Sequence, residues 1–188
     1  NLVIFIPNNT LILEKLERKM ESLKELIMKR GYHVSVAKSL SECVDDNYSD
    51  IAFLTPISIR KVFPNNFIYL KLNDLGRGAE RAVKIMSLIE IINPKLLLID
   101  DFESGFHPSL VKMVLRWLKD KKWQTIISTH SIDVLHYLVE VEPSDATVIQ
   151  LQKSDEDILS HKVLTLETIK DLLDANSDPR LLVDLLQL

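Results

Sequence analysis

Glycine is scarce in this chain: four residues in 188, at Gly31, Gly76, Gly78 and Gly105, about 2% where roughly 7% is usual. A phosphate-cradling loop, GxxxxGK followed by Ser or Thr, needs clustered glycines so that backbone N–H groups can close on the phosphates. No such run occurs, and neither does the dinucleotide fingerprint GxGxxG. Cysteine is scarcer still. The single Cys43 excludes an internal disulfide and suits a reducing, cytoplasmic setting. No apolar run approaches the ~18–20 residues that span a bilayer, so no membrane role is expected. Leu2–Pro7 is too short for a signal peptide and lacks a basic flank. Positive charge is in deficit: the net charge of −4 supplies no global field for nucleic acid. The chain begins with Asn1 and enters a strand-like run at once, which raises the expectation of a fragment or a processed chain.

What remains is an ordinary globular composition, 46% hydrophobic and 27% charged. Leu2–Ile6 reads as a buried strand, with Asn9 or Thr10 able to cap a following helix. Leu11–Arg30 carries apolar residues at helical spacing and stops at Gly31. His33–Ala37 alternates like a short strand, a short helix follows from Ser39 or Ser41, and Ile51–Leu54 is a further strand. Pro56 and Pro64 bracket an irregular or short helical stretch, and Phe67–Leu72 is extended. Asp74–Gly78 reads as a loop before a helix over Glu80–Ile92. The fully apolar Leu96–Ile99 is the pattern of a strand covered on both faces. A helix over Ser109–Lys119, a strand over Gln124–Ser128 and a helix from Ile132 to Val139 follow. Strands at Ala146–Gln152 and Lys162–Leu166 and short helices at Leu166–Leu173 and Pro179–Leu186 close the chain. This alternation predicts an α/β fold with a mostly parallel sheet flanked by helices. Ligands in such folds bind outside the carboxyl ends of the strands.

Polar residues collect at those ends. Asp100 and Asp101 follow Leu96–Ile99 directly. Two adjacent carboxylates there can cap the next helix. Alternatively they divide a metal site between them, one facing a Mg²⁺ and the other polarising a nucleophile. His130 follows the next strand, where an imidazole can meet a phosphate. His107 precedes Pro108 and reads equally well as a helix-entry residue. Gly76-Arg77-Gly78 opens a helix whose exposed amides and dipole suit an anion, Gly78 permits close approach of a phosphate, and Arg77 and Arg81 add positive charge. A simple flexible turn is the plainer reading of those glycines.

In combination, residues 72–135 resemble the C-terminal half of an ABC-type ATPase head of the recombination-repair, SMC-like and OLD-related AAA kind. LLLIDDFESGFHPSL resembles a Walker B strand followed by a D-loop, STHS an H-loop, and LGRGAER the signature motif LSGGQxR. The resemblance implies Asp100 as the Mg²⁺-associated aspartate and Asp101 in the place of the catalytic glutamate. It implies His130 as the γ-phosphate switch, and Gly76, Arg77 and Gly78 as nucleotide contacts, with Arg81 at the signature's arginine. ATP and Mg²⁺ are the cofactors implied. The expected partner is a second head, as a homodimer, or a polypeptide carrying the absent Walker A half. DNA as a partner draws no support from charge. Residues 1–71 would be the lid or helical region between Walker A and signature, and 72–188 the lobe bearing the motifs. The sequence departs from the pattern at Asp101, one methylene shorter than Glu, at Gly76 for Ser, at Arg77 for Gly and at Ala79 for Gln. The expected function is ATP binding and hydrolysis in the intact protein, with this chain alone inactive. The alternative is a degenerate, non-catalytic binding or regulatory module. A metal-dependent nuclease using Asp100, Asp101 and Glu103 is the third reading. The tail after Glu142 is too short for an ordinary nuclease domain.

Overall fold

The structure is a computed structural model that describes residues 2–9, 12–154 and 156–181. Its backbone contacts divide the chain into two compact units, Asn1–Thr129 and His130–Leu188.

The first unit is built on a three-stranded parallel sheet of β1 (Val3–Ile6), β5 (Leu96–Ile99) and β6 (Gln124–Ile127), in the order β1-β5-β6. The register is direct: Ile6 lies beside Ile99, and Ile99 beside Ile127. All three strands therefore end at one level. Ile6, Leu97 and Ile99 are buried, as expected of residues on the covered face. The expected α/β fold with a helix-flanked parallel sheet is present. The first strand joins this sheet although some ninety residues separate it from β5.

Between β1 and β5 lie α1 (Ile12–Lys29), α2 (Tyr32–Val44), a three-stranded antiparallel sheet of β2 (Tyr48–Ala52), β3 (Ser58–Val62) and β4 (Phe67–Lys71), and α3 (Arg77–Ile92). Thr10, named above as a possible cap of α1, lies outside the described residues. Two expectations fail here. His33–Ala37 is not a strand but the first half of α2, which also absorbs the short helix expected from Ser39 or Ser41. Val36, Ala37 and Leu40 are buried together while Val34 is exposed, and that spacing belongs to one helical face. A five-residue window of V-S-V type fits both periods, and the longer window decides. The stretch between Pro56 and Pro64 is strand β3: Ile57 and Ile59 alternate into the core, and the prolines stand outside the hydrogen-bonded segment.

Helix α3 is the central helix of this unit, buried at Ala79 and from Arg81 through Ile89. Even its lysine is inside. Lys84, 1% exposed, is held by Glu80 Oε1 at 2.6 Å and by Glu17 Oε2 of α1 at 2.8 Å. The loop expected at Asp74–Gly78 is shorter than its sequence suggests: a 3-10 turn covers Leu72–Leu75, and α3 already begins at Arg77. Helix α4 (Pro108–Lys119) follows β5 and is anchored on α3, where Trp117 Nε1 donates to Glu90 Oε1 at 2.7 Å.

The second unit comprises α5 (Ile132–Val141), the antiparallel pair β7 (Thr147–Lys153) and β8 (Leu159–Thr165), and α6 (Leu166–Asp174). Leu135, Leu164 and Ile169 form its core, with Val139, Val148 and Leu173 packed against them. A 3-10 turn occupies Pro179–Leu181, and the remainder of the helix expected over Pro179–Leu186 lies outside the described residues. Among the described residues no helix is long and apolar enough to cross a membrane.

Candidate functional site

The carboxyl edge of the parallel sheet concentrates polar side chains from all three strands. Asp100 and Asp101 leave β5, Asn8 lies two residues past the end of β1, and Ser128 follows β6. The backbone carries the ladder one step further, since Asp100 N–H donates to Ile6 O and Ser128 N–H to Ile99 O, both at 2.9 Å. The side chains are thus fixed against each other by the sheet itself.

Ser128 stands at the middle of the cluster. Its hydroxyl donates to Asp100 Oδ1 at 2.7 Å and accepts the backbone N–H of Asp101 at 2.8 Å. Asn8 Nδ2 donates to Asp101 Oδ2 at 2.5 Å. Asp100 is exposed and Asp101 half-buried. The two carboxylates diverge: Asp100 turns toward the β6 side and Asp101 toward the β1 side. Asp101 adopts a left-handed backbone with φ 47°, a conformation that costs most residues energy and that Asp and Asn tolerate best. The following turn is stitched down by Phe102 N–H to Ser128 O, Ser104 N–H to Asp101 O and Phe106 N–H to Glu103 O, each 2.9 Å. Phe102 is fully buried and meets Phe106 edge-on. His107 serves as the N-cap of α4, accepting from Ser109 N–H, which is the helix-entry reading.

The start of α3 abuts this turn. Gly76 is its N-cap, at φ 92° and ψ 152°, a conformation open to glycine alone, and no side chain caps the helix there. Gly78 sits in the first turn, where an added Cβ would lie 2.3 Å from Gly105 O and 3.2 Å from Leu110 Cδ1. The space above Gly78 is therefore filled by protein. Its glycine is required by the packing of helix on turn. One helical turn on, Arg81 is 8% exposed, and its guanidinium donates from Nη1 to Ser104 O and lies over the Phe106 ring at 5.4 Å. Burial pushes it below its ordinary value and the Asp101 carboxylate draws it back up. Its Nε and Nη2 are buried without a protein hydrogen-bond partner.

Of the residues singled out in the sequence, the structure brings Asp100 and Asp101 to one sheet edge. Gly78 and Arg81 lie against the turn that follows them. Gly76 and Arg77 are exposed at the start of α3. His130 begins the second unit three residues after β6; the residue is exposed, and its carbonyl accepts from Arg180 Nη1 at 2.9 Å. Sequence reasoning missed Asn8 and Ser128. The available signal was positional: each is a polar residue just beyond a strand of the same parallel sheet.

Among the described residues no three His, Cys, Asp or Glu side chains are grouped to hold a metal. Mg²⁺ does not require such a cage, because it keeps several waters and takes one or two carboxylates together with substrate phosphates. Exposed Asp100, with the Ser128 hydroxyl beside it, fits that donor set.

The profile of a family described as AAA domain, putative AbiEii toxin, Type IV TA system matches residues 4–135. The chain belongs to this AAA-domain family. The match runs from β1 into α5 and includes every residue of the sheet-edge cluster. The chain is also 28% identical over 93 residues to the uncharacterized protein MJECL11 of Methanocaldococcus jannaschii, covering 46% of this chain and 82% of that protein. Its fold is that of P-loop-class ATPase heads. It superposes with a TM-score of 0.53 and 15% identity on a chain from work on ATP-driven dimerization and DNA-stimulated activation of SMC ATPases, covering 81% of this chain and 96% of that one. The SMC head domain from Thermotoga maritima gives 0.51 at 17% identity, over 86% of this chain and 53% of that head. A SmcHead bound to the C-winged helix domain of ScpA gives 0.51 at 15%, over 86% and 51%. The chain thus spans about half the length of these two SMC heads.

Proposed function

We propose that this AAA domain supplies the metal, water and signature half of an ABC-type ATP hydrolase, with the phosphate grip contributed by a P-loop segment outside these 188 residues. The observation that carries the reading is the sheet-edge cluster, with two carboxylates held in divergent orientations by Ser128 and Asn8. Phosphoryl transfer is catalysed chiefly by positioning and charge neutralisation, and a divided pair serves both. Asp100, with Ser128, would hold the Mg²⁺, which supplies charge neutralisation on the phosphate oxygens when bound. Asp101 would accept a hydrogen bond from the attacking water. His130 would contact the γ-phosphate, and Gly76 and Arg77, exposed at the start of α3, would face the nucleotide of a second head in a dimer, while Gly78 would hold that helix start against the turn after β5. The division into 1–71, preceding the signature, and 72–188, bearing the motifs, follows chain order and not packing, since β1 belongs to the motif-bearing sheet. No support for DNA binding comes from charge.

The sheet supports the missing-half reading. Parallel sheets are normally covered on both faces, yet Val3, Phe5 and Ile126 are 53%, 58% and 54% exposed on the face opposite Ile6, Leu97 and Ile99. A further layer of protein would cover them. The alternative of a non-catalytic binding module rests on Gly76, Arg77 and Asp101, the departures from the signature and Walker B patterns. Hydrolysis separates the two. In the native protein that contains this chain, Asp101→Asn should leave ATP binding within about twofold and lower single-turnover phosphate release by a factor of order 100 or more. Unchanged release would remove Asp101 from the chemistry.

A further inference from the structure

Asn8 was not suggested by any motif, and its place in the sheet gives it a specific task. β1 and β5 are parallel with Ile6 beside Ile99, so Asn8 and Asp101, each two residues further along, reach the same level. Pro7 intervenes and lacks an N–H with which to continue the ladder. Asn9 N–H then turns back onto Pro7 O at 2.9 Å. That turn leaves the Asn8 side chain beside Asp101, and Nδ2 donates to Oδ2 at 2.5 Å. Asp101 is consequently held from both neighbouring strands, at its backbone N–H by Ser128 from β6 and at its carboxylate by Asn8 from β1. A residue at φ 47° persists in that conformation when its surroundings over-determine it.

We infer that Asn8 is a positioning residue for Asp101: by occupying Oδ2 it fixes the rotation of the carboxylate and leaves Oδ1 to accept a hydrogen bond from the attacking water. The chemistry of the side chain suits the task. A primary amide donates to a carboxylate without carrying charge, so it orients Asp101 without neutralising it. A lysine or arginine at the same point would form an ion pair and weaken the carboxylate as an acceptor. Asn8 is exposed, so its removal leaves no buried group unsatisfied and no cavity.

The inference rests on the reading of Asp101 as the water-orienting carboxylate, and the test separates the two. Single-turnover and steady-state ATP hydrolysis are measured on the native protein as wild type, Asn8→Ala, Asn8→Gln, Asp101→Asn and the Asn8→Ala/Asp101→Asn double variant. Asn8→Ala should lower kcat about tenfold to a hundredfold, the range of one hydrogen bond to a charged group. KM for ATP should stay within about twofold and the thermal midpoint should not move. Asn8→Gln, which keeps the amide on a longer arm, should recover part of the rate. On the Asp101→Asn background, Asn8→Ala should cost nothing further, because it acts only through the carboxylate. A normal kcat in Asn8→Ala, or the same proportional loss with and without Asp101, overturns the inference while leaving the ATPase reading intact. A wild-type protein that binds ATP and Mg²⁺ and releases no phosphate overturns both.

Discussion

Single residues here carry constraints that motif matching does not express. Gly76 is a glycine for a conformational reason: at φ 92° and ψ 152° a side chain would be strained. Gly78 is a glycine because Gly105 O occupies the position of its Cβ. Gly78→Ala must therefore push α3 and the 101–107 turn apart. It should cost about 1–3 kcal/mol of stability, read as a lower urea midpoint. Hydrolysis should also fall, because Asp101 begins the displaced turn. A stable Gly78→Ala protein with full activity would show that the helix and the turn are not coupled. Asp101 has a similar logic. An Asp is one methylene shorter than a Glu and by length alone would be the weaker base, yet a left-handed backbone at that point is better tolerated by Asp. The identities of Asp100, Asp101 and Gly78 were legible in the sequence. Their reasons were not, because each depends on an atom from a distant segment: Ser128 Oγ, Asn8 Nδ2 and Gly105 O.

Among the elements, α3 does most to link the site to the rest of its unit. Its first turn meets the 101–107 turn, Arg81 reaches Ser104 O, and Lys84 ties it to α1 through Glu17. Any neutral replacement of Lys84 leaves Glu80 and Glu17 without their cation, but an apolar residue of similar volume retains the packing that alanine loses. Lys84→Ala should cost about 3 kcal/mol in equilibrium denaturation, and Lys84→Met distinctly less. Equal losses for the two would mean that the side-chain stem contributes nothing. The legible elements were those with long windows or unmixed composition. α1 showed helical spacing over eighteen residues, and β5 is all apolar. α2 and β3 failed for opposite reasons. The opening of α2 is too short to separate two periods, and the prolines around β3 suggested irregularity where they mark strand ends. The pairing of β1 with β5 could not be read, since nothing local at Val3–Ile6 encodes a partner near residue 97.

At the scale of the molecule, two units, a family and a bare sheet face bear on function. The family match covers residues 4–135, and the sheet-edge cluster lies wholly within the first unit. The proposal of a P-loop segment outside these 188 residues rests on the scarcity of glycine and on the exposure of Val3, Phe5 and Ile126 on a parallel sheet. The proposed hydrolysis depends most on Asp100 as the carboxylate that would hold the Mg²⁺. It is tested most directly by phosphate release from ATP as Mg²⁺ is titrated into the native protein, wild type against Asp100→Ala. The expected result is no release without Mg²⁺, saturable release in the wild type, and loss of nearly all of it in Asp100→Ala at every Mg²⁺ concentration. A Mg²⁺ dependence and maximal rate unchanged by Asp100→Ala would contradict the account.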